Sequence, residues 1–372
     1  FGVFGLNLLI ICSSCWIYNY FGREVKYRKL KFSSLIIWII CICSAYIYGY
    51  FEVKGVNQTD TVKVLAVQNN EDPWKNGIEE YSRNIQRLKT LTDEALELNP
   101  DIDIVVWPET AVVPSIMYQY YQGNDAKRYK VINSLLQYMD SKSSTFVIGN
   151  AHEQNSKRGA KEYYNSVCVF ESGQNVYPPN PDIYSKQHLV PFSETFPYKK
   201  YFPWLYSKLL NGDTHMWEAG KNYTVFENKG LRYSTPVCFE DTFGDDCRYF
   251  VLNGARCFLN LSNDAWSKSL TCQNQHLAMA VFRAVENRIP VVRSTSTGQT
   301  CIINQNGKIV EIAPAFFETY VTGYIPLLNQ NFKTSIYTKY GDVFGKATVL
   351  LSIVLLIIQI INVIIKKITK NN

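Results

Sequence analysis

The sequence of 372 residues predicts one α/β domain flanked by membrane-spanning helices. Between about residues 52 and 346, short hydrophobic segments of strand character alternate with longer segments of helical periodicity, and no repeat or low-complexity linker interrupts them. Uncharged apolar stretches of membrane-spanning length lie on both sides of this region. These observations divide the chain into a membrane segment at 1–51, a domain at 52–346, and a C-terminal span with its tail at 347–372.

Three stretches are apolar enough to cross a bilayer. They cover residues 1–21, 33–51 and 347–365, contain no charged residue, and match the length of about 20 residues that a hydrocarbon core requires. Buried core helices are the alternative interpretation. Because Phe1 is not a methionine and no basic segment begins the first stretch, we expect the chain to start inside a longer membrane domain rather than at a signal peptide.

The basic charge of the chain lies beside these apolar stretches. A cluster at 23–31 carries a formal charge of +4, and Lys366, Lys367 and Lys370 add +3, whereas the whole chain carries +6. The remainder is slightly acidic, which argues against a nucleic-acid-binding surface. Loops rich in lysine and arginine face the cytoplasm, so residues 52–346 are expected on the outer side of the membrane. The aromatic content of 14% and the sparse cysteines exclude a disordered chain and a disulfide miniprotein.

Hydrophobic periodicity predicts the elements of the domain. Buried strands are predicted at 61–68, 103–107, 145–150, 164–171, 231–237, 257–261 and 290–294. Helices are predicted over 77–98 and about 125–140, with two more beginning near Thr242 and Cys272. Asn306-Gly307 lies between two short strand-like segments and predicts a hairpin with a type I′ turn.

Cys238 ends a hydrophobic segment and enters a turn, which is the position where a nucleophile elbow presents its reactive side chain. A helix that begins behind it is expected to favour the thiolate. The alternative is a small buried residue that only packs.

Two further residues suggest chemistry. Glu109 follows a buried strand in the segment VVWPET, where partial desolvation suits a carboxylate to act as a general base. Lys186, in YSKQHLVPFSE, is a candidate for a fixed positive charge that stabilises an oxyanion. Each residue has an ordinary alternative, a surface glutamate and a solvated lysine.

The three segments, in this order, resemble the nitrilase, or carbon–nitrogen hydrolase, superfamily over about residues 62–326. The segment NLSNDAW at 260–266 supports the resemblance. It implies a nitrilase-like α-β-β-α sandwich and a catalytic triad of Glu109, Lys186 and Cys238. The flanking apolar stretches, with LVPFSE and NQHLAMAVFRAVENRIPVVRST, make the chain similar to the membrane-anchored branch, the apolipoprotein N-acyltransferases.

That similarity implies a reaction and a location. A phospholipid acyl donor would form a thioester on Cys238, and the α-amine of a diacylglyceryl-cysteine at an apolipoprotein N-terminus would accept the acyl chain. The similarity implies no cofactor and a multi-pass protein of the bacterial inner membrane, with its catalytic domain on the periplasmic side. We expect a monomer that contacts the lipid bilayer and does not bind nucleic acid.

The same resemblance extends to four supporting residues, which are Glu194, Glu240, Asn165 and Trp74. Glu194 is expected to orient Lys186. Each of the four has the alternative of an ordinary hydrogen-bonded or packing residue. Ser193 stands where a glycine is usual and Phe239 where a tyrosine is common, which leaves substrate selection open.

The aromatic-rich insertion at 201–217 suggests contact with lipid. Trp204 and Leu205 are the candidates for a loop that dips into the bilayer, and packing beneath the domain is the alternative.

Other functions stay open at this point. A membrane-tethered nitrilase-type amidase would release its acyl group to water, and a catalytically silent membrane receptor would keep only the fold. A protease-like pair of Cys238 and His188 is a third possibility. The four histidines show no zinc-binding spacing, so we expect no metal.

Overall fold

The structure, a computed structural model, describes residues 2–21, 28–53, 60–155, 161–209, 216–328 and 332–371. Arg23 and Lys26 of the first basic cluster and His215 lie outside the described residues. The chain forms two compact units, one made of Phe1–Asn57 with Ser335–Asn372 and the other of Gln58–Thr334.

The elements of both units are numbered in chain order. The helices of the described residues are α1 (Gly2–Phe21), α2 (Arg28–Val53), α3 (Ile78–Leu98), α4 (Ile116–Tyr121), α5 (Ala126–Asp140), α6 (Pro203–Leu209), α7 (Gly244–Leu252), α8 (Leu270–Asn287), α9 (Ile336–Tyr340) and α10 (Val343–Asn371). The strands are β1 (Thr61–Gln68), β2 (Ile104–Val106), β3 (Thr145–Asn155), β4 (Lys161–Phe170), β5 (Asp182–Ser185), β6 (Phe226–Asn228), β7 (Leu231–Tyr233), β8 (Phe258–Ser262), β9 (Val291–Thr295), β10 (Cys301–Ile303), β11 (Ile309–Ile312) and β12 (Thr319–Pro326).

The first unit is helical. Within α2 and α10, the segments Phe32–Phe51 and Val343–Lys366 are long and apolar enough to cross a membrane, by length and composition. The segment Gly2–Tyr18 of α1 is apolar but shorter. The indole N–H of Trp38 donates to the carbonyl of Leu9 at 2.9 Å, which ties α2 to α1. These helices coincide with the three predicted stretches.

The second unit contains two main sheets. The larger has the strand order β12-β1-β2-β3-β4-β5, in which β1, β2 and β3 are parallel and the outer strands are antiparallel. The smaller has the order β11-β10-β9-β8, with β8 and β9 parallel. β6 and β7 form a separate antiparallel pair.

Successive side chains of a strand point to opposite faces of its sheet, so neighbouring residues pack in different layers. Val64 of β1 packs in one core with Leu261 of β8 and Ala284 of α8. Its neighbour Leu65 points the other way, into a second core with Leu88 of α3. The layers are therefore helix, sheet, sheet and helix, which confirms the predicted α-β-β-α sandwich. Burial of each large apolar side chain contributes roughly 1.5–3 kcal/mol to this arrangement.

Several predicted elements need correction. The hairpin at Asn306-Gly307 forms, but only Gly307 has a positive φ, of 80°, and type I′ requires it at both positions. Instead the turn closes with the N–H of Gly307 donating to the carbonyl of Asn304 at 2.9 Å. The helix predicted near Thr242 begins at Gly244, after a 3-10 turn over Cys238–Thr242. The strands β5, β6 and β12 were not predicted, and the strand predicted at 231–237 ends at Tyr233.

Candidate active site

The three predicted catalytic residues lie on loops that follow strands. Glu109 comes three residues after β2, and Lys186 directly follows β5. Val237 bridges Leu261 of β8 in parallel, which places the next residue, Cys238, at the carboxyl end of the second sheet. The N–H of Asn263, directly after β8, donates to Oε2 of Glu109 at 2.8 Å. The carboxyl ends of strands from both sheets therefore meet at this site.

Cys238 begins the 3-10 turn with a φ of 48°, a left-handed conformation that residues other than glycine adopt rarely. Its side chain is 8% exposed. Burial and the carboxylate of Glu109 raise the pKa of the thiol well above its usual range, and Lys186 opposes them. The resting side chain is therefore a thiol. The expectation of a thiolate favoured by a helix N-terminus is wrong, because a single 3-10 turn does not offset this desolvation.

Lys186 is held between two carboxylates. Its Nζ lies 3.1 Å from Oε1 of Glu109 and 2.8 Å from Oε1 of Glu194. Lys186 is 1% exposed and Glu109 is 6% exposed. Burial alone would lower the pKa of the ammonium, but the carboxylates of Glu109 and Glu194 raise it, so Lys186 remains charged. The site thus contains a fixed positive charge next to a buried thiol.

Asn165 and Asn263 fix the carboxylate of Glu109 from both sides. The side-chain amide of Asn165 donates to Oε1 of Glu109 at 2.7 Å and to Glu194 at 3.2 Å. The backbone N–H of Asn263 holds Oε2. Asn165 is a predicted residue, whereas sequence reasoning missed the contribution of Asn263, which is made by a backbone group.

Glu240 links the lysine loop to the cysteine turn. Its carboxylate accepts hydrogen bonds from the backbone N–H groups of Gln187, His188 and Val237 at 2.7, 3.1 and 2.7 Å. The hydroxyl of Tyr184 donates to it at 2.8 Å. Burial raises the pKa of Glu240, against these hydrogen bonds. Glu240 therefore acts on the site through the backbone that follows Lys186 and the backbone that precedes Cys238.

Three of the predicted residues lie on the surface. Trp74 is 74% exposed on the loop after β1, and Trp204 of α6 is 61% exposed, with Leu205 half-buried beside it. Within the described part of the chain, no hydrogen bond or ring contact joins these side chains to the buried cluster. The structure brings together Glu109, Lys186, Cys238 and the supporting residues Asn165, Glu194 and Glu240, and leaves the other three outside.

Two glycines let the backbone approach the site closely. A Cβ added to Gly149 of β3 would lie under 3.0 Å from backbone atoms of Pro108, Glu109 and Thr110. Gly220 meets the backbone of Ser185 in the same way, and its N–H donates to the carbonyl of Lys186 at 2.8 Å. The sequence shows that these residues are glycines but not which backbone atoms lie against them, so this role was not predicted.

A cavity of about 360 Å³ opens near the same sheet edge. Its walls include Glu71 and Asp72, after β1, and Ala265 and Lys268, after β8. Ala265 lies two residues from Asn263, which contacts Glu109. Burial, with a smaller effect of Glu80, raises the pKa of Glu71 to about 7. A cavity with both charged and apolar walls therefore lies beside one of the loops that build the site.

Comparisons with known proteins agree with this architecture. The sequence profile of the carbon-nitrogen hydrolase family matches residues 64–329. Two solved structures resemble the chain, each with a TM-score of 0.52. Saccharomyces cerevisiae Nit3, a member of branch 10 of the nitrilase superfamily, is 17% identical and covers 72% of this chain and 91% of its own. An amidase from Nesterenkonia sp. is 14% identical and covers 73% and 94%. At such identities the likeness shows the fold alone.

Sequence relatives are more similar. Apolipoprotein N-acyltransferase 1 of Treponema denticola is 38% identical over 99% of this chain and 70% of its own length. Apolipoprotein N-acyltransferase 1 of Treponema pallidum is 40% identical over 84% of this chain and 58% of its own length. The chain thus spans between about three fifths and seven tenths of these two relatives.

Proposed function

The chain belongs to the carbon-nitrogen hydrolase family and, within it, to the apolipoprotein N-acyltransferases, and we propose that it transfers an acyl chain from a phospholipid to the α-amine of an apolipoprotein diacylglyceryl-cysteine. One observation supports this most strongly. A buried thiol lies within the electrostatic influence of a buried glutamate and a buried lysine, and that glutamate is held by hydrogen bonds at both oxygens.

In the first step, Glu109 removes the proton of the Cys238 thiol as sulfur attacks the ester carbonyl of the phospholipid. The raised pKa of the thiol makes such a base necessary at neutral pH. The C–S bond forms, the ester C–O bond breaks, and Glu109 returns the proton to the departing alkoxide. The products are a lysophospholipid and an acyl thioester on Cys238.

In the second step, the α-amine attacks the thioester carbonyl. The C–N bond forms and the C–S bond breaks, while Glu109 takes a proton from the amine and returns it to the sulfur. An amide replaces a thioester, which is downhill, and the free thiol is regenerated. Both steps pass through a tetrahedral oxyanion, and Lys186 supplies a charge that needs no reorganisation to stabilise it.

Two alternative enzymes would differ from this mechanism in one reacting group each. An amidase would use water in place of the amine in the second step. A protease-like pair would require His188 as the base, but its Nε2 lies 2.8 Å from Asp246 and its ring stacks on Phe243. The buried ion pair of Lys186 and Glu109 also argues against a silent receptor, because buried charges are costly for a fold that has no use for them.

We propose that α2 and α10 cross the bacterial inner membrane and that residues 58–334 face the periplasm. The length and composition of both helices support crossing, and Lys366 begins a basic cluster at the end of the last apolar segment. α1 would complete a multi-pass membrane region. The phospholipid donor is then available in the bilayer around the protein.

The test separates the two steps. The full chain in liposomes is given a phospholipid with a labelled acyl chain, and Cys238 is examined for an acyl thioester by mass spectrometry. A diacylated lipopeptide with a free α-amine is then added. We expect the thioester to persist until the lipopeptide arrives and then to become an amide. Release as free fatty acid before that addition supports the amidase, and absence of label on Cys238 rejects the proposal. The Cys238→Ala variant is the control for labelling elsewhere.

A further inference from the structure

A second cluster of buried charges lies behind the nucleophile turn, formed by Asp241, Asp264, His276 and Arg293. The ring of His276 bridges the two carboxylates, with Nδ1 2.9 Å from Asp264 and Nε2 3.0 Å from Asp241. Arg293 contacts the other oxygen of each, at 2.6 Å for Asp241 and 3.5 Å for Asp264. All four side chains are buried or nearly so. We call them the Asp–His–Arg cluster.

The charges of this cluster balance. Burial favours neutral His276, but Asp241 and Asp264 outweigh it and raise the pKa of His276 to about 10. The ring is therefore an imidazolium at neutral pH. Two positive and two negative side chains then cancel. Replacing buried ion networks by apolar residues is often neutral or stabilising, so stability alone does not account for four charges at this place.

Each carboxylate belongs to a segment that builds the proposed active site. Asp241 lies in the 3-10 turn that starts at Cys238, and Arg283 donates to its backbone carbonyl at 3.2 Å. Asp264 accepts a hydrogen bond from Ser262 at 3.1 Å, and both residues act on the pKa of the Cys238 thiol, which Asp264 raises and Ser262 lowers. His276 on α8 thus connects the nucleophile turn to the loop after β8.

We propose that the His276 imidazolium is a positioning residue, which holds the Cys238 turn against the Asn263 loop and cancels the charge of Asp264 at the thiol. The charged groups whose fields act on the thiol are Glu109, Lys186, Asp264 and Arg293. Loss of the imidazolium leaves this environment one negative charge richer, which disfavours the thiolate. The proposal rests on the proposed function only in taking Cys238 as the nucleophile.

The test measures alkylation of Cys238 by iodoacetamide as a function of pH, in the full chain, by mass spectrometry of the peptide that contains it. His276→Gln keeps a hydrogen-bonding side chain but removes the charge, and we expect the rate at pH 8 to fall about tenfold, with the profile displaced to higher pH. Adding Asp264→Asn in the same chain removes one negative charge. We expect this double variant to recover to within about threefold of the wild-type rate.

A packing role gives the opposite pattern, because two substitutions in one cluster would then damage the site more than either alone. The proposal is overturned if Cys238 is alkylated more slowly in the double variant than in His276→Gln and in Asp264→Asn alone. It is also overturned if the pH profile of His276→Gln equals that of the wild type. His152→Gln is the matched control, since His152 is buried on β3 and its pKa is lowered, so this substitution removes no charge.

The buried thiols of Cys247 and Cys257 serve as a check on folding in the same experiment, because they react only if the domain opens. Alkylation requires neither a lipid nor an acceptor. A failure of the proposed function, seen as absence of an acyl thioester on the wild-type protein, is therefore distinguishable from a failure of this inference.

Discussion

The ammonium nitrogen of Lys186 lies 3.1 Å from Oε1 of Glu109, and the amide of Asn165 donates to the same oxygen at 2.7 Å. The other oxygen, Oε2, accepts only from the backbone N–H of Asn263 among the contacts of the described residues. Oε1 is therefore committed to holding the cation in place. Oε2 has a lone pair left over, which makes it the proton acceptor in the proposed mechanism.

Replacing Glu109 by glutamine tests that assignment. The amide keeps the shape of the side chain but cannot accept a proton from the thiol, so thioester formation on Cys238 should fall about 10²- to 10⁴-fold. The rate of acyl labelling measures it. Glu162→Gln, a carboxylate on β4 that accepts from Tyr164, is the control and should label normally. A histidine-based pair would instead keep its activity in Glu109→Gln and lose it in His188→Gln.

Two of the three proposed catalytic residues are readable from sequence because each ends or follows a hydrophobic run. Glu109 follows DIVVW, and Cys238 ends the run that contains β7. Lys186 was found through its motif rather than its strand, since β5 has only four residues with polar ends. Resemblance to a family provided what local pattern lacked at this position.

Pairing across long separations was not readable. β12 runs antiparallel to β1 over its whole length, from Thr61 opposite Pro326 to Gln68 opposite Thr319, yet its segment TYVTGYIP carries no strong alternation. The members of the Asp–His–Arg cluster likewise come from four separate elements with no regular spacing. Contacts made by a backbone group, such as the N–H of Asn263, leave no side-chain signal at all.

Glu194 should matter less than Glu109. Its Oε1 lies 2.8 Å from Lys186, and its Oε2 accepts from the N–H of Val190 at 2.7 Å. Glu194→Gln leaves Lys186 with Glu109 as its anionic partner, so we expect thioester formation to slow about 10- to 100-fold. Single-turnover labelling at saturating lipid measures the chemical step. A loss as large as that of Glu109→Gln would contradict the lesser role.

Gly149 should tolerate no side chain. Its added Cβ would lie under 3.0 Å from backbone atoms on both sides of Glu109, so Gly149→Ala must displace the proposed base or distort β3. We expect a loss of about 1–3 kcal/mol in the free energy of unfolding, together with slower thioester formation. Urea denaturation in detergent and acyl labelling measure the two. Gly49→Ala on α2, where nothing lies within 4 Å of the added atom, should change neither.

The exposed aromatic side chains of α6 should affect lipid access. Trp204 and its neighbour Tyr201 are exposed at 61% and 74%, while Leu205 is half-buried. Changing Trp204 and Leu205 to serine should slow turnover of phospholipid in liposomes about tenfold, yet leave turnover of a short-chain soluble ester near the wild-type rate. Leu98→Ser, at an exposed apolar position of α3, is the control. If the variant instead loses turnover of both substrates and yields less folded protein, Trp204 and Leu205 have a packing role.

His276 should give the protein a stability that disappears at high pH. Its pKa of about 10 lies above the value of about 6.5 expected in the unfolded chain. A raised pKa stabilises the fold fully below the unfolded value, and this contribution is lost as the pH rises through the folded value. The difference in free energy of unfolding between wild type and His276→Gln should therefore be largest near pH 6 and shrink by a few kcal/mol toward pH 10.

Urea denaturation at a series of pH values measures this difference, and comparison with the variant cancels the other groups that titrate. His152 provides a control of opposite sign. Burial lowers its pKa, so the wild type should lose stability relative to His152→Gln only as the pH falls below about 6.5. A difference for His276→Gln that stays constant between about pH 7 and pH 10 would mean that the pKa of the ring is not raised in the folded protein. The charge balance of the Asp–His–Arg cluster, and with it the inferred effect on the Cys238 thiol, would then be wrong.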